Sequence, residues 1–155
     1  MTTYVIPKPD EIAPLLEMVF GEGVEMDLVD QPDPKECHAA TFICDEDKLV
    51  ALCHCDPSFV IYSGAALSML PANVADEMIK DKEYTDVVKD NFYEVMNICS
   101  KLLMSETSAH LRLAETLDPE AAAGLNEKLP EGVENVAYRL KIPNFGEGQI
   151  SFSVS

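Results

Sequence analysis

The sequence lacks the features that mark export or insertion into a bilayer. No apolar run approaches the roughly 18 residues that a membrane-spanning helix needs. The first residues, MTTYVIPKP, have neither the basic start nor the apolar core of a signal peptide. We therefore expect a cytoplasmic protein.

Basic residues are scarce. The chain has 11 Lys and Arg against 28 Asp and Glu, which gives a formal net charge of −17. A phosphate backbone would be repelled, and no Lys/Arg cluster provides a local exception, so we expect no binding to nucleic acid or to an anionic membrane. An acidic surface of this kind favours a partner that presents Lys or Arg.

A disulfide framework and a glycine-rich phosphate loop are also missing. The seven glycines are scattered at turns, and the five cysteines are an odd number with no regular spacing. Cys37, Cys44, Cys53 and Cys55, with the neighbouring histidines, match no standard zinc spacing. We expect reduced thiols that pack as small apolar groups in a strand hairpin, and no metal. A metal or redox protein built on these cysteines is the least favoured alternative.

The apolar and turn patterns predict one α/β (α+β) domain over residues 1–155. Helices are predicted from Pro9 to Gly21 or Gly23, with Asp10 as N-cap, and over 58–70 after Asp56-Pro57. A shorter helix and a long one over 84–105 follow. The predicted strands are 38–44, 49–55, 109–117, 133–142 and 149–154. This order predicts an antiparallel-rich mixed sheet of about five or six strands, with helices packed on one face.

The long helix separates its residues into two sides. At about 100° per residue, one side is an apolar stripe of Val88, Phe92, Val95, Cys99, Leu102 and Leu103. Asp90, Glu94, Asn97 and Lys101 fall almost opposite, at spacing i, i+4, i+7 and i+11. Tyr93, Ile98 and Met104 border that polar line. An exposed polar line with apolar borders is typical of a docking surface for a partner protein, whereas an ordinary helix of this kind simply meets water.

The motif on this helix resembles a known signature. Asp90-x-x-x-Glu94-x-x-Asn97, followed by Pro119, is similar to the Asp/Ser-x-x-x-Glu-x-x-Asn…Pro pattern of the CheC/CheX/FliY chemotaxis phosphatases. The strand and buried helix over 49–70 and the closing strands also resemble that family. The length and the single copy of the motif are closer to CheX than to CheC, which has two copies.

The resemblance implies a CheX-like domain that dephosphorylates the aspartyl-phosphate of a CheY-like response regulator. The amide of Asn97 would orient the attacking water, and Glu94 would pair with the regulator's active-site lysine. The chain would need no cofactor of its own, because Mg²⁺ would be held by the regulator. The resemblance also implies a homodimer formed through sheet edges, with 149–154 as a candidate edge strand.

A second hypothesis is a non-catalytic binding or scaffold module for a receiver domain or a switch complex. The family usually has small residues beside the Glu and Asn, and this chain has Tyr93 and Met96 there. Bulky side chains at those places favour docking without turnover.

Overall fold

The computed structural model describes residues 4–33, 35–129 and 133–155. The helices and strands follow one another in this order: α1 (Pro9–Phe20), β1 (Glu25–Leu28), β2 (His38–Cys44), β3 (Leu49–Cys55), α2 (Pro57–Leu67), α3 (Ala72–Asp81), α4 (Asp86–Cys99), a 3-10 helix (Ser100–Leu103), β4 (Leu111–Leu117), α5 (Pro119–Ala122), a second 3-10 helix (Leu125–Lys128), β5 (Glu134–Lys141) and β6 (Glu147–Val154). The predicted fold class is confirmed, and β2 and β3 have the predicted bounds. The short elements β1 and α5 and both 3-10 helices were not predicted.

The strands form one six-stranded sheet in the order β1-β5-β6-β3-β2-β4. Each described pairing is antiparallel, so the parallel component of a mixed sheet is not found there. The predicted hairpins β2–β3 and β5–β6 both form. The second closes through a turn in which the Ile142 N–H donates to the Gly146 carbonyl at 2.9 Å. Asn144 sits in this turn at φ 69°, a left-handed conformation that asparagine tolerates.

The position of β6 corrects one prediction. Residues 149–154 were expected to form an edge, but β6 lies between β5 and β3. Both sides of its backbone are therefore paired inside the chain. The described edges of the sheet are β1 and β4, so any dimer built by edge pairing would have to use one of these. Homodimerisation itself stays a prediction.

Local signals set the starts of the helices near the site. The Asp56 carboxylate accepts the Phe59 N–H at 2.8 Å, and Pro57 occupies the first turn of α2. The Thr85 hydroxyl accepts the Val88 N–H at 3.2 Å and begins α4. The prediction that Asp10 caps α1 is wrong, because Lys8 precedes the helix and its carbonyl accepts the Ile12 N–H at 2.9 Å. Asp10 lies in the first turn instead.

The sheet has one large hydrophobic core and one small one. The large core is formed where the long helices cover the sheet, and Phe42, Phe59 and Phe152 are fully buried in it. On the other face, Ala39 and Leu52 pack against the short α5 segment and the 3-10 helix after it. The prediction of helices on one face is therefore correct for the long helices. The short α5 and the 3-10 helix after it form a small second layer on the opposite face. In the described ranges, no helix has the length and apolarity that crossing a membrane requires.

Candidate functional site

The apolar side of α4 anchors the helix in the core. All six residues of the predicted apolar stripe are buried, from Val88 at the start to Leu103 in the following 3-10 helix. Gly64 of α2 lets the two helices approach closely, since a Cβ there would lie 2.9 Å from the Val88 carbonyl oxygen. The Asn91 amide donates to the Gly64 carbonyl at 2.9 Å and to the Ser68 hydroxyl at 2.6 Å. These contacts fix the rotation of α4 and hence the direction of its polar side.

The polar side of α4 faces solvent. Asp90, Glu94 and Asn97 are exposed, as the spacing predicts. We call these three residues the ridge. In the part of the chain that the structure describes, none of them takes part in an ion pair, and the side-chain hydrogen bonds of α4 come from Thr85 and Asn91 instead. The ridge therefore presents two carboxylates and one amide, all available to a partner.

The helix ends earlier than predicted. The α-helical part stops at Cys99, and Ser100–Leu103 form the 3-10 helix, where the Ser100 hydroxyl donates to the Asn97 carbonyl at 2.6 Å. Lys101 is exposed on this 3-10 helix rather than on α4. The tighter winding of a 3-10 helix moves Lys101 off the straight line through the ridge.

The three residues of the predicted apolar border differ in how far they are exposed to solvent. Tyr93 is 42% exposed beside the ridge. Ile98 is half-buried, and so is Met104, whose sulfur accepts the Leu111 N–H at 3.4 Å. The sequence did not single out Val87, an exposed valine one turn before the ridge, although its spacing of seven residues from Glu94 places the two on one side. The docking roles assigned to Asp90, Tyr93, Ile98, Lys101 and Met104 stay predictions, as do the catalytic roles of Glu94 and Asn97.

Met96 corrects an expectation about bulk on the ridge. It was expected to stand beside Asn97 and hinder a partner, but its side chain is fully buried in the main core. The apolar side of α4 is wider than the predicted stripe because the helix packs against both α2 and β4. Of these two bulky residues, Tyr93 is therefore the one that borders the ridge, and the Met96 side chain is inaccessible from outside.

Cys53 and Cys55 of the hairpin lie in the core as predicted, whereas Cys44 is half-buried at its margin. Cys53 and Cys55 are fully buried on one face of β3, with their Sγ atoms 3.8 Å apart. Burial raises the pKa of the Cys55 and Cys99 thiols well above the usual range, and burial followed by the nearby Asp56 carboxylate raises the pKa of Cys37 to about 12. Among the described residues, no three His, Cys, Asp or Glu side chains are grouped to hold a metal ion. The thiols of Cys37, Cys55 and Cys99 are therefore protonated and enclosed near neutral pH, which suits packing rather than nucleophilic chemistry.

Buried histidines line several cavities of the described structure. One of about 320 Å³ lies on the face of the sheet that carries the small core and is lined by His54, Asn126, Asn135 and Ser153, among others. Another, of about 180 Å³, lies against α4, with His38 and Phe92 in its lining. From the sequence, His38 was considered only as a neighbour of the cysteines in a possible zinc site, and its place at a cavity was not predicted. The alternation His38, Ala40, Phe42 on β2 was the available signal, because it places the imidazole on the core side of the sheet.

Comparison with known proteins gives a result only at the level of structure. No family model matches the sequence, and no curated protein matches it significantly. A chain of the FliM–SpeE complex from H. pylori matches at 11% identity and a TM-score of 0.65, covering 92% of this chain and 79% of that one. FliY from Thermotoga maritima matches at 12% identity and a TM-score of 0.54, covering 92% of this chain and 81% of that one. The chain has the CheC-like fold.

The CheC-like fold confirms the resemblance at the level of architecture. CheX in the CheX–CheY complex from Borrelia burgdorferi also matches, at 10% identity and a TM-score of 0.43, covering 91% of this chain and 90% of that one. That TM-score is too low to favour CheX over FliY or FliM, so the specific likeness to CheX stays a prediction. Identities near 10% carry the fold and leave the activity to be argued from the residues of α4.

Proposed function

We propose that this chain is a phosphatase that acts on the aspartyl-phosphate of a CheY-like response regulator in the cytoplasm. One observation supports the proposal most. In a chain with the CheC-like fold, Glu94 and Asn97 stand exposed on a helix whose opposite side is anchored in the core, and neither has a side-chain partner among the described residues. The two residues also belong to the motif that resembles the signature of the CheC/CheX/FliY family.

The proposed reaction requires the chain mainly to position a water molecule. An acyl phosphate is already activated, so holding one water in line with the phosphorus supplies much of the catalysis. The neutral Asn97 amide can both donate to and accept from that water. Glu94, one helical turn away and on the same side, would pair with a lysine of the regulator and set the docking register. Mg²⁺ in this proposal belongs to the regulator.

A net charge of −17 suits encounter with a basic partner surface. On the ridge itself, Asp90 and Glu94 provide negative charge close to the proposed water. Such charges would steer a partner through its lysine or arginine side chains, and they would repel a nucleic acid backbone or an anionic membrane.

The test is the decay of the phosphorylated receiver. Receiver domains from the source genome are purified, phosphorylated with a small phosphodonor in Mg²⁺, and followed by phosphate release with and without this chain. We expect the wild type to accelerate the decay of at least one receiver. Asn97→Ala should reduce that acceleration by about 100-fold or more, in line with the loss of one positioning group.

Asn73→Ala is the matched control, because Asn73 is an exposed asparagine on the neighbouring helix α3. It should keep full activity and full stability. Full activity of Asn97→Ala, or no acceleration of any receiver by the wild type, would contradict the proposed reaction.

A non-catalytic docking module is the second candidate, and Tyr93 favours it. Its ring is 42% exposed beside the ridge, where it occupies space that a partner's loop would otherwise enter. The likeness to a chain from a FliM–SpeE complex, at a TM-score of 0.65, agrees with a role in assembly. This candidate predicts that a receiver carrying beryllofluoride and Mg²⁺ binds without accelerated phosphate loss, and that Tyr93→Ala gains turnover. Turnover by the wild type, unchanged in Tyr93→Ala, would reject it.

A further inference from the structure

Helix α2 is followed by a methionine in a backbone conformation that methionine rarely adopts. Met69 has φ 56°, in the left-handed region that glycine occupies without steric cost. Its N–H donates to the Ala66 carbonyl at 3.2 Å. The next N–H, of Leu70, donates to the Ala65 carbonyl at 3.0 Å. These two bonds form a Schellman motif, in which the place of Met69 is usually taken by glycine.

The side chain of Met69 gives the fold nothing in return for this conformation. It is 89% exposed, the highest value among the exposed large apolar side chains of the described residues. An apolar side chain left in water adds little to stability, and its Cβ is what makes the left-handed conformation unfavourable. Glycine would therefore suit this turn better, and a residue that costs stability without packing indicates a role outside the fold.

Met69 lies beside the ridge. The residue before it, Ser68, accepts a hydrogen bond from the Asn91 amide of α4 at 2.6 Å. Asn91 directly follows Asp90 and comes three residues before Glu94. The same amide also donates to the backbone of α2, so the end of α2 is held against α4 at the level of the ridge.

Apolar side chains border the ridge on both sides. At about 100° per residue, Val87 and Asn91 fall on one side of Glu94 and Tyr93 falls on the other. Val87 is 53% exposed and Tyr93 is 42% exposed. Met69 adds a third exposed apolar side chain, on the side of Asn91. Methionine and tyrosine are both enriched where one protein binds another, and the flexible thioether of methionine adapts to the partner's surface.

The charges around these apolar residues select the kind of partner. Asp86, Asp90 and Glu94 are exposed on the same side of α4, in a chain of net charge −17. A second copy of the chain would bring the same negative charges to this surface and would be repelled, as would an anionic membrane. A protein whose apolar surface is bordered by Lys or Arg is complementary. The receiver domain of the proposed function meets this condition through the lysine that pairs with Glu94.

We propose that Met69 is an apolar anchor by which a receiver domain docks on the ridge. The Met69 side chain packs against apolar side chains of the receiver, and Asp90 and Glu94 meet basic residues next to them. This inference rests on the proposed function, because it takes the ridge as the binding site of the receiver. It adds that the end of α2, together with α4, determines how tightly a receiver is bound.

Titration calorimetry with matched variants tests the role of Met69. Purified receiver domains that carry beryllofluoride and Mg²⁺ are titrated with the whole chain. Met69→Gly removes the side chain and suits the left-handed backbone, and it should weaken receiver binding by about ten-fold or more, as the loss of an interface anchor does. Met69→Leu keeps a large apolar side chain and should bind within about three-fold of the wild type.

Lys82→Gly is the matched control. Lys82 is exposed and follows α3 with φ 52°, and its N–H donates to the Ile79 carbonyl as that of Met69 does to Ala66. Both glycine variants should have an equal or higher Tm than the wild type, because each relieves a left-handed conformation. Lys82→Gly should bind the receiver like the wild type. Equal weakening by Lys82→Gly and Met69→Gly would overturn the anchor, because the loss would then come from the helix ends.

Turnover measurements separate this inference from the proposed phosphatase. Met69→Gly should raise KM by about ten-fold with kcat unchanged, whereas Asn97→Ala should lower kcat. Unchanged binding and KM in Met69→Gly, with turnover by the wild type, would overturn the anchor and leave the phosphatase standing. Weaker binding by Met69→Gly, with no turnover by the wild type, would support the anchor and reject the phosphatase. If no receiver binds the wild type with a Kd below about 1 mM, the anchor is rejected as well.

Discussion

The two sides of α4 differ in what holds their side chains. On the inner side, Val95, Met96 and Cys99 are fully buried, and Asn91 at its edge bonds to the backbone and side chain of α2. On the outer side, the ridge residues meet solvent and take part in no ion pair within the described ranges. The residues of the inner side can therefore be explained by their contribution to stability alone. The residues of the outer side contribute little to the stability of the fold. A substitution that separates stability from activity will show whether this division is correct.

The largest expected effect is on the inner side, at Met96. Met96→Ala should lower the free energy of unfolding by about 2–5 kcal/mol, because it removes a fully buried side chain and leaves a cavity. Urea denaturation measures the change. Met18→Ala is the matched control, since Met18 is 85% exposed on α1 and should change stability by less than about 0.5 kcal/mol. A loss below about 1 kcal/mol at Met96 would mean that the inner side of α4 is loosely packed.

The width of the inner side shows which part of the buried surface of a helix can be predicted from sequence and which part cannot. A period of 3.6 residues identified the centre of the stripe, and all six of its members are buried. The position of its border depends on what packs beside the helix, and α2 and β4 together extend the buried side to Met96. No local pattern contains that information, because both neighbours are set by contacts between distant parts of the chain.

The sheet repeats this lesson. The hairpins β2–β3 and β5–β6 were predictable because turn residues join strands that are neighbours in sequence. The pairing of β6 with β3 joins strands far apart in the chain, so 149–154 looked like an edge and is interior. For the site, the exposure of Asp90, Glu94 and Asn97 was predictable from spacing alone. The burial of Met96 and the cavity at His38 were not, since they depend on neighbours from other elements.

An intermediate effect is expected at His38, which lies at the inner flank of the helix. Burial lowers the pKa of His38 from 6.5 to about 4, with the Asp118 carboxylate opposing that shift and Lys89 adding to it. Between those pH values the unfolded chain binds more protons than the folded one, so the stability contribution is present above pH 6.5 and is lost as the pH falls toward 4. From these two pKa values, acidification from about pH 8 to 5 should cost about 2 kcal/mol through this residue.

The comparison with His38→Phe isolates this contribution from the many carboxylates of the chain. Phenylalanine keeps a planar ring in the packing and cannot be protonated. Urea denaturation at both pH values should show a loss of stability in the wild type that is greater than in the variant by about 2 kcal/mol. Equal losses in the two proteins would show that His38 is as accessible to protons in the folded chain as in the unfolded one.

The smallest effect on stability is expected on the ridge, and it is the sharpest test of the comparison. Alanine has a higher helix propensity than aspartate or asparagine by up to about 0.7 kcal/mol. Asp90 also lies four residues from both Asp86 and Glu94, and like charges at that spacing weaken a helix. Asp90→Ala and Asn97→Ala should therefore leave the free energy of unfolding unchanged or raise it by about 0.5 kcal/mol, as urea denaturation would show. A loss of more than about 1 kcal/mol in either variant would reveal a structural partner for that side chain and remove the contrast between the two sides. Asn97→Ala could instead raise the stability and abolish the phosphatase activity. That result would mean that Asn97 lowers the stability of the fold and is needed for activity, as expected for a residue that acts on a partner protein.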